Sequence, residues 1–253
     1  MNADLMARVF LSSSQRRLLR RGLPIFIFHK IASPPAATLD PFDYTLPEEF
    51  DAKLKALKEA GLVPVSLDTV VRGREAGPGN FVVTFDDGYR NVCDQGLEIL
   101  TRHRVAAIQF LVAGLLGKRN EWDIANHDVI EPLMDESQVR EWLAEGQQIG
   151  SHSLTHRNLK KLGEREAREE IAGSKKKLED TFGIPVRHFC YPFGLYNERV
   201  SGLAQAAGYE TACTVAFGIN PAPLGFELKR VMPLTRRELM AKIWHRLRRK
   251  CGG

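Results

Sequence analysis

The chain is predicted to fold as an α/β unit of parallel strands joined by helices, on three observations. Short apolar runs with strand character alternate with helical patterns: IFIF (25–28), FVVTF (81–85), VAAIQFLV (105–112), QQIGSHS (147–153), VRHFCY (186–191) and YETACTV (209–215). Parallel strands need a long connection, which a helix supplies, so the alternation implies strand–helix–strand crossovers. About seven strands suit a barrel or a large open sheet, and in either architecture ligands gather at the carboxyl ends of the strands. The polar clusters of this chain fall at such ends.

Taken in order, IFIF reads as a buried strand and is followed by a proline-rich loop, ASPPAATLDPFDYTLP. Thr45 and Glu48 have capping-box spacing, Phe50, Leu54 and Leu57 share a helical face, and Gly61 ends that helix. LVPVSL (62–67) is a candidate strand and GREAGPGN (73–80) a loop before FVVTF. A helix is predicted from Asn91 to about His103. Residues 117–135 form a loop-rich insertion. Asp135 and Gln138 cap a helix carrying Val139, Trp142 and Leu143, closed by Gly146. A charged helix over 164–182 turns Ile171, Leu178 and Phe182 inward, and another lies near 197–207.

Composition bounds the function. With 253 residues, 43% hydrophobic and 26% charged, the chain has ample means to bury a core, which argues against global disorder. A net charge of +5, without an RNA-binding aromatic signature or finger-type Cys/His spacing, gives no case for nucleic acid. Cys93, Cys190, Cys213 and Cys251 form no CxxC pair, so zinc-finger and dithiol redox chemistry are poor readings. The N-terminus has no apolar h-region of useful length, and no apolar run approaches a membrane span. The expected compartment is the cytoplasm, with reduced thiols.

Two polar segments carry chemistry. Asp86 and Asp87 follow FVVTF directly. Alone, Asp-Asp-Gly is ordinary turn chemistry. A second cluster, GSHSLTH (150–156), sets His152 and His156 four residues apart after another strand. One carboxylate with two imidazoles is a common catalytic metal set that leaves a position open for water. Only one aspartate is needed as a ligand; the other can act as a base. A third segment, FCYPFGLYN (189–197), is a stiff loop that could wall a cleft.

TFDDG, SHSLTH and FCYPFG, in this order, resemble the polysaccharide deacetylase family, the NodB homology domain of carbohydrate esterases. The likeness runs from about residue 24 to 235 and is strongest to the permuted poly-N-acetylglucosamine deacetylase type. There a histidine follows an N-terminal strand, as His29 follows IFIF, with Phe28 where tyrosine is common. The resemblance implies a distorted (β/α)7 barrel. It implies Asp87, His152 and His156 as ligands of one divalent ion, usually zinc, with nickel, cobalt or iron as alternatives. It assigns Asp86 as general base, His29 as general acid and the backbone N–H of Phe193 as oxyanion donor. Cys190 stands where the wider family has an arginine that orients the base, and Arg230, in FELKRVMPL, is the candidate to supply that charge from another strand.

The leading function is therefore metal-dependent removal of an N-acetyl group from an amino sugar, in a polysaccharide or a lipid-linked glycan precursor. Deformylation of a lipid-linked amino sugar, a catalytically dead glycan-binding module and a recruiting scaffold are the alternatives. Residues 1–23 read as a basic N-terminal segment and 236–253 as a basic amphipathic tail. In the tail Leu239, Met240, Ile243, Trp244 and Leu247 can share one face among seven basic residues. That helix either packs on the barrel or touches an anionic inner-leaflet surface. His103, His127 and His245 have no supporting pattern and are expected at the surface. Of Arg187 and His188, strand alternation turns one inward.

Overall fold

The computed structural model describes residues 13–73, 78–221, 225–234, 238, 240–242 and 244–245. The strands are β1 (Ile25–Phe28), β2 (Lys30–Ile31), β3 (Tyr44–Thr45), β4 (Val63–Pro64), β5 (Asn80–Phe85), β6 (Ala107–Leu111), β7 (Gln148–Ser151), β8 (His188–Cys190), β9 (Thr211–Phe217) and β10 (Leu228–Arg230). The helices are α1 (Ser13–Leu19), α2 (Pro47–Glu59), α3 (Leu67–Val71), α4 (Leu97–His103), α5 (Glu136–Ala144), α6 (Glu164–Arg168), α7 (Ser174–Phe182) and α8 (Glu198–Ala206).

Seven strands pair in the order β1-β5-β6-β7-β8-β9-β10, all parallel, and β4 adds to the start of β5. The ends of this sheet meet again. Ile27 N–H donates to the Val231 carbonyl at 3.1 Å, and Val231 N–H to the Ile25 carbonyl at 2.8 Å. The sheet thus nearly closes into the predicted distorted (β/α)7 barrel.

Strands buried on both faces read as continuous apolar runs rather than alternating ones, and β5 is buried from Phe81 to Phe85. One face fills the barrel with Ile25, Val82, Ile108, Phe110, Cys213 and Leu228. The other packs under the helices. There Phe28 meets Phe50 of α2 edge-on at 4.9 Å, and Phe85 meets Trp142 of α5 at 6.0 Å. The Trp142 indole N–H is satisfied by the Gln148 carbonyl at 2.8 Å, so the ring is buried without an orphaned donor.

Several local expectations shift. Helix α2 begins at Pro47 rather than after a Thr45 cap, because proline suits the first helical position and Thr45 instead pairs with Ile31. The strand expected over 62–67 shortens to β4, since Ser66 accepts from Thr69 N–H and starts α3. Before α4 the chain makes a π turn at Val92–Gly96, and a second at Glu169–Gly173 joins α6 to α7. The Asp135–Gln138 capping box forms as expected.

His103 is not a free surface residue. Its Nε2 lies 2.8 Å from Asp51, with the side chain mostly covered. His188 is the inward residue of its pair, held between Thr211 and Asp68 at 2.8 and 2.9 Å. His245 also has a partner, the Leu39 carbonyl at 2.6 Å, whereas His127 is exposed.

The described parts of both ends pack on the barrel. Leu19 and Leu23 are buried, and Arg20 donates to the Ala60 carbonyl. Lys242 is buried between Asp40 and Asp43 at 3.6 and 3.5 Å, while Met240 and Trp244 are exposed. Lys242 therefore faces inward, contrary to a wholly outward basic rim. Leu239, Ile243 and Leu247 lie outside the described residues, as do residues 1–12. No described helix is long and apolar enough to cross a membrane.

Candidate metal centre and catalytic cleft

The candidate side chains sit at or just past the carboxyl ends of strands. His29 follows β1, Asp86 and Asp87 follow β5, His152 follows β7, Cys190 ends β8 and Arg230 ends β10. Pairing in register, such as Phe28 opposite Phe85 and Leu111 opposite Ser151, brings these ends to one level.

The turns after the strands are strained in a way that aims side chains. Of six non-glycine residues with positive φ among the described residues, four line this site: Asp87 (72°), Ser153 (67°), His156 (59°) and Phe193 (58°). Such conformations cost roughly 1–3 kcal/mol each and persist only where the surroundings enforce them. The enforcement is visible. The Glu170 carboxylate accepts from the backbone N–H groups of Leu154 and Thr155 at 3.0 and 2.9 Å and from the Thr155 hydroxyl, pinning the loop between the two histidines. On its other side Gly114 N–H donates to the Leu154 carbonyl at 2.8 Å. A Cβ at Gly114 would lie 2.5 Å from that oxygen, so only glycine allows the approach.

Asp87, His152 and His156 converge and are buried, with their ligand atoms within 4.8 Å of one another. Asp87 Oδ1 is 3.3 Å from Nε2 of each imidazole. His152 Nδ1 is 2.8 Å from the Cys190 carbonyl, which can only accept, so Nδ1 carries a proton. Burial opposes a charge on this ring, but Cys190 and Asp87 raise its pKa well above the ordinary histidine range, so Nε2 can also hold a proton towards Asp87. Burial pushes the His156 imidazole down to about 3, against the pull of Asp87, so this second ring is neutral. Burial opposes ionisation of Asp87, yet the neighbouring imidazoles hold its carboxyl well below the usual range. A buried carboxylate converging with two imidazole Nε2 atoms is a set that a cation can bridge by displacing a proton. The donor set fits a divalent ion of the zinc type.

The other cluster within ligand distance, Asp86 with His152 and Cys190, fits less well. Burial pushes the Cys190 thiol up to about 11, with Arg230 only partly offsetting it, so the sulfur stays protonated. Asp86 is already engaged. Arg230 Nη1 and Nη2 donate to its two oxygens at 2.7 Å each, and Nη2 also reaches Cys190 Sγ at 3.2 Å. The Arg230 side chain has no exposed surface. Burial opposes the Asp86 charge, and the guanidinium overcomes it, keeping the carboxyl ionised. His29 Nε2 stands 3.9 Å from Asp86 Oδ2, with part of its ring open to the cleft.

The structure thus brings all seven sequence-predicted residues to one place. Phe193 is there by its ring as well as its backbone, 4.5 Å from His156. Trp122, from the 117–135 insertion, lies 4.2 Å from the same imidazole. Among the described residues His156 Nδ1 has no hydrogen-bond partner, so contact with these two aromatic rings, with Nε2 against Asp87, holds the imidazole. Trp122, Glu170 and Lys30 were not picked out by motif. Lys30 Nζ sits 4.5 Å from the rings of Tyr44 and Tyr89 and lines the cleft. A tryptophan in an otherwise polar insertion was the one available signal for Trp122; a glutamate inside a charged helix gave none for Glu170.

Residues 73–212, more than half of the chain, match the model of the polysaccharide deacetylase family. The chain belongs to that family. His29 and Arg230 fall outside the matched range. The chain is 26% identical to YxkH of Bacillus subtilis (strain 168) over 200 residues, 78% of this chain and 65% of YxkH. It is 25% identical to a chitooligosaccharide deacetylase of Bradyrhizobium sp. (strain ANU 289) over 139 residues, 54% of this chain and 56% of that protein. It therefore spans between about half and two thirds of the length of these curated relatives. Among solved structures of the deacetylase fold, IcaB from Ammonifex degensii superposes with a TM-score of 0.72 at 22% identity, covering 88% of this chain and 97% of that one. At that identity the likeness speaks for the fold.

Proposed function

We propose that this chain is a metal-dependent hydrolase that removes the N-acetyl group from an amino sugar in a glycan. The observation that carries the reading is the division of labour between adjacent carboxylates. Asp87 lies 3.3 Å from Nε2 of two imidazoles, whereas Asp86 is held as an anion by Arg230 and faces His29. Binding alone would not require an ion site, a base and an acid together.

Asp87, His152 and His156 would hold the ion. When bound, such an ion supplies Lewis-acid polarisation of the amide carbonyl and eases deprotonation of the attacking water. Asp86, fixed in place by its guanidinium clamp, accepts the water proton on a carboxylate oxygen. The clamp costs it basicity, so Asp86 acts as an anion at neutral pH and depends on the water being acidified. His29, across from Asp86, carries the proton that the departing amine needs, since an amide nitrogen leaves poorly without one. The Phe193 N–H stabilises the oxyanion as charge develops on the former carbonyl oxygen.

The test is release of acetate from N-acetylglucosamine oligomers by protein loaded with a divalent ion. Asp86→Asn should lower turnover by roughly 10²–10⁴-fold, the usual loss on removing a general base. Unchanged turnover in that variant would refute the assignment, and glycan binding without any acyl release would favour the binding-module alternative.

A further inference from the structure

We infer that the amino sugar acted on carries a hydrocarbon aglycone, which lies in an apolar cavity opening off the catalytic cleft. The inference rests on the reading of the site as an amino-sugar N-deacylase.

The cleft around Asp86 and Asp87 holds about 170 Å3, room for little more than the reacting end of a substrate. Beside it lies a cavity of about 650 Å3, within the roughly 300–1,000 Å3 usual for small-molecule sites. The two share His29, Asp40, Asp43, Phe193 and Val215, so they adjoin along these side chains. A molecule whose amide reaches Asp86 has its remainder directed there.

The walls of the larger cavity are of the wrong kind for sugar hydroxyls. Phe26, Ile27, Val215, Phe217, Val231 and Met232 offer them few hydrogen-bond partners. Of its charged groups, Lys242 pairs with Asp40 and Asp43, Arg230 is committed to Asp86, and both aspartates also line the cleft. Val215 and Phe217 stand on the same face of β9, two residues apart, and are 54% and 70% exposed. Phe193, 48% exposed, continues the strip to the metal centre. The contact is close: a Cβ on Gly194 would sit 2.3 Å from Val215 Cγ2. Leu18 of α1, 38% exposed, lines the same cavity. A contiguous apolar strip left open to water marks an interaction site, and continuity with the catalytic cleft identifies its occupant as part of the substrate.

The test measures acetate release by the full chain from N-acetylglucosaminides bearing methyl, octyl and dodecyl aglycones, each below its critical micelle concentration. N-acetylglucosamine oligomers serve as the apolar-free comparison. With a hydrocarbon site, kcat/KM rises on the order of tenfold or more from methyl to dodecyl, because buried methylenes add binding in ground and transition state alike. In Phe217→Asp and in Leu18→Asp, both at exposed positions, the dodecyl-to-methyl ratio falls towards one. Equal kcat/KM across the series overturns the hydrocarbon site, and so does a chain-length gain that survives both variants. Turnover of the oligomers with none of the glycosides overturns it and leaves the deacetylase reading intact. No release from any compound overturns both.

Discussion

Arg230 and Asp86 are joined by two 2.7 Å hydrogen bonds across 144 residues of sequence, with both side chains almost wholly shielded from water. Removing one partner of such a pair leaves an uncompensated buried charge, at a cost of about 3–5 kcal/mol. Arg230→Met is expected to lower unfolding stability by that order, measured by urea denaturation. It should also depress acetate release, because an unclamped Asp86 in the same apolar surroundings protonates more readily. Arg230→Lys should fall between, since an ammonium keeps the charge but not the two-pronged geometry.

Metal content should follow the three converging ligands. About one divalent ion per chain is expected by elemental analysis, lost in the double variant His152→Ala with His156→Ala. Asp86→Asn should retain the ion. Equal loss in all these variants would indicate that the second cluster, through Asp86 and Cys190, takes part in binding.

Glu170 touches none of the ligands, yet it accepts from the loop that carries them. Glu170→Gln keeps the size but replaces one acceptor oxygen with a donor. Metal affinity should weaken by about 10–100-fold, the usual consequence of disturbing supporting contacts. Titration with zinc against a competing chelator measures it. Unaltered affinity would mean that the loop is held well enough by its contacts to Gly114.

Gly114→Ala tests the same loop from its other side. The added methyl meets the Leu154 carbonyl, and overpacking of this kind costs about 1–3 kcal/mol. A lowered melting temperature with diminished metal retention is expected.

A pH effect arises away from the site. A hydrogen bond from His188, outweighing burial, holds the Asp68 carboxyl below its ordinary range. A carboxylate with a lowered folded-state pKa adds stability above its unfolded pKa, about 3.9, and loses it as pH falls further towards the folded value. The stability gap between wild type and Asp68→Asn in urea should therefore be full above about pH 5 and shrink through about pH 3. A gap that widens on acidification would contradict this sign.

The fold was legible because strands buried on both faces announce themselves as apolar runs, and FVVTF and VAAIQFLV needed no tertiary information. The site was legible where function compresses into short motifs, as in Asp86–Asp87 and His152–His156. What escaped was chemistry assembled across the barrel. Nothing local marks Glu170, whose partners lie fifteen and sixteen residues away in a separate loop. Trp122 acts only through where the insertion comes to rest. The inward turn of Lys242 overrode its amphipathic pattern because Asp40 and Asp43 offered it two carboxylates. Boundaries moved where one residue had competing roles, as Thr45 did between a helix cap and a strand.

The placement of Arg230 on the final strand also has a bearing on biogenesis. Asp86 leaves the ribosome 144 residues ahead of the cation that neutralises it. Through all that time β5 can join β1, β4 and β6, yet its terminal carboxylate has no guanidinium to meet, and sealing it from water is unfavourable. Until β10 docks between β9 and the β1 edge, that carboxylate is favoured as an anion only where water reaches it. Arrival of the last strand closes the cylinder and buries that charge against its partner in the same event, so an ionised, dry Asp86 is a property of the finished molecule.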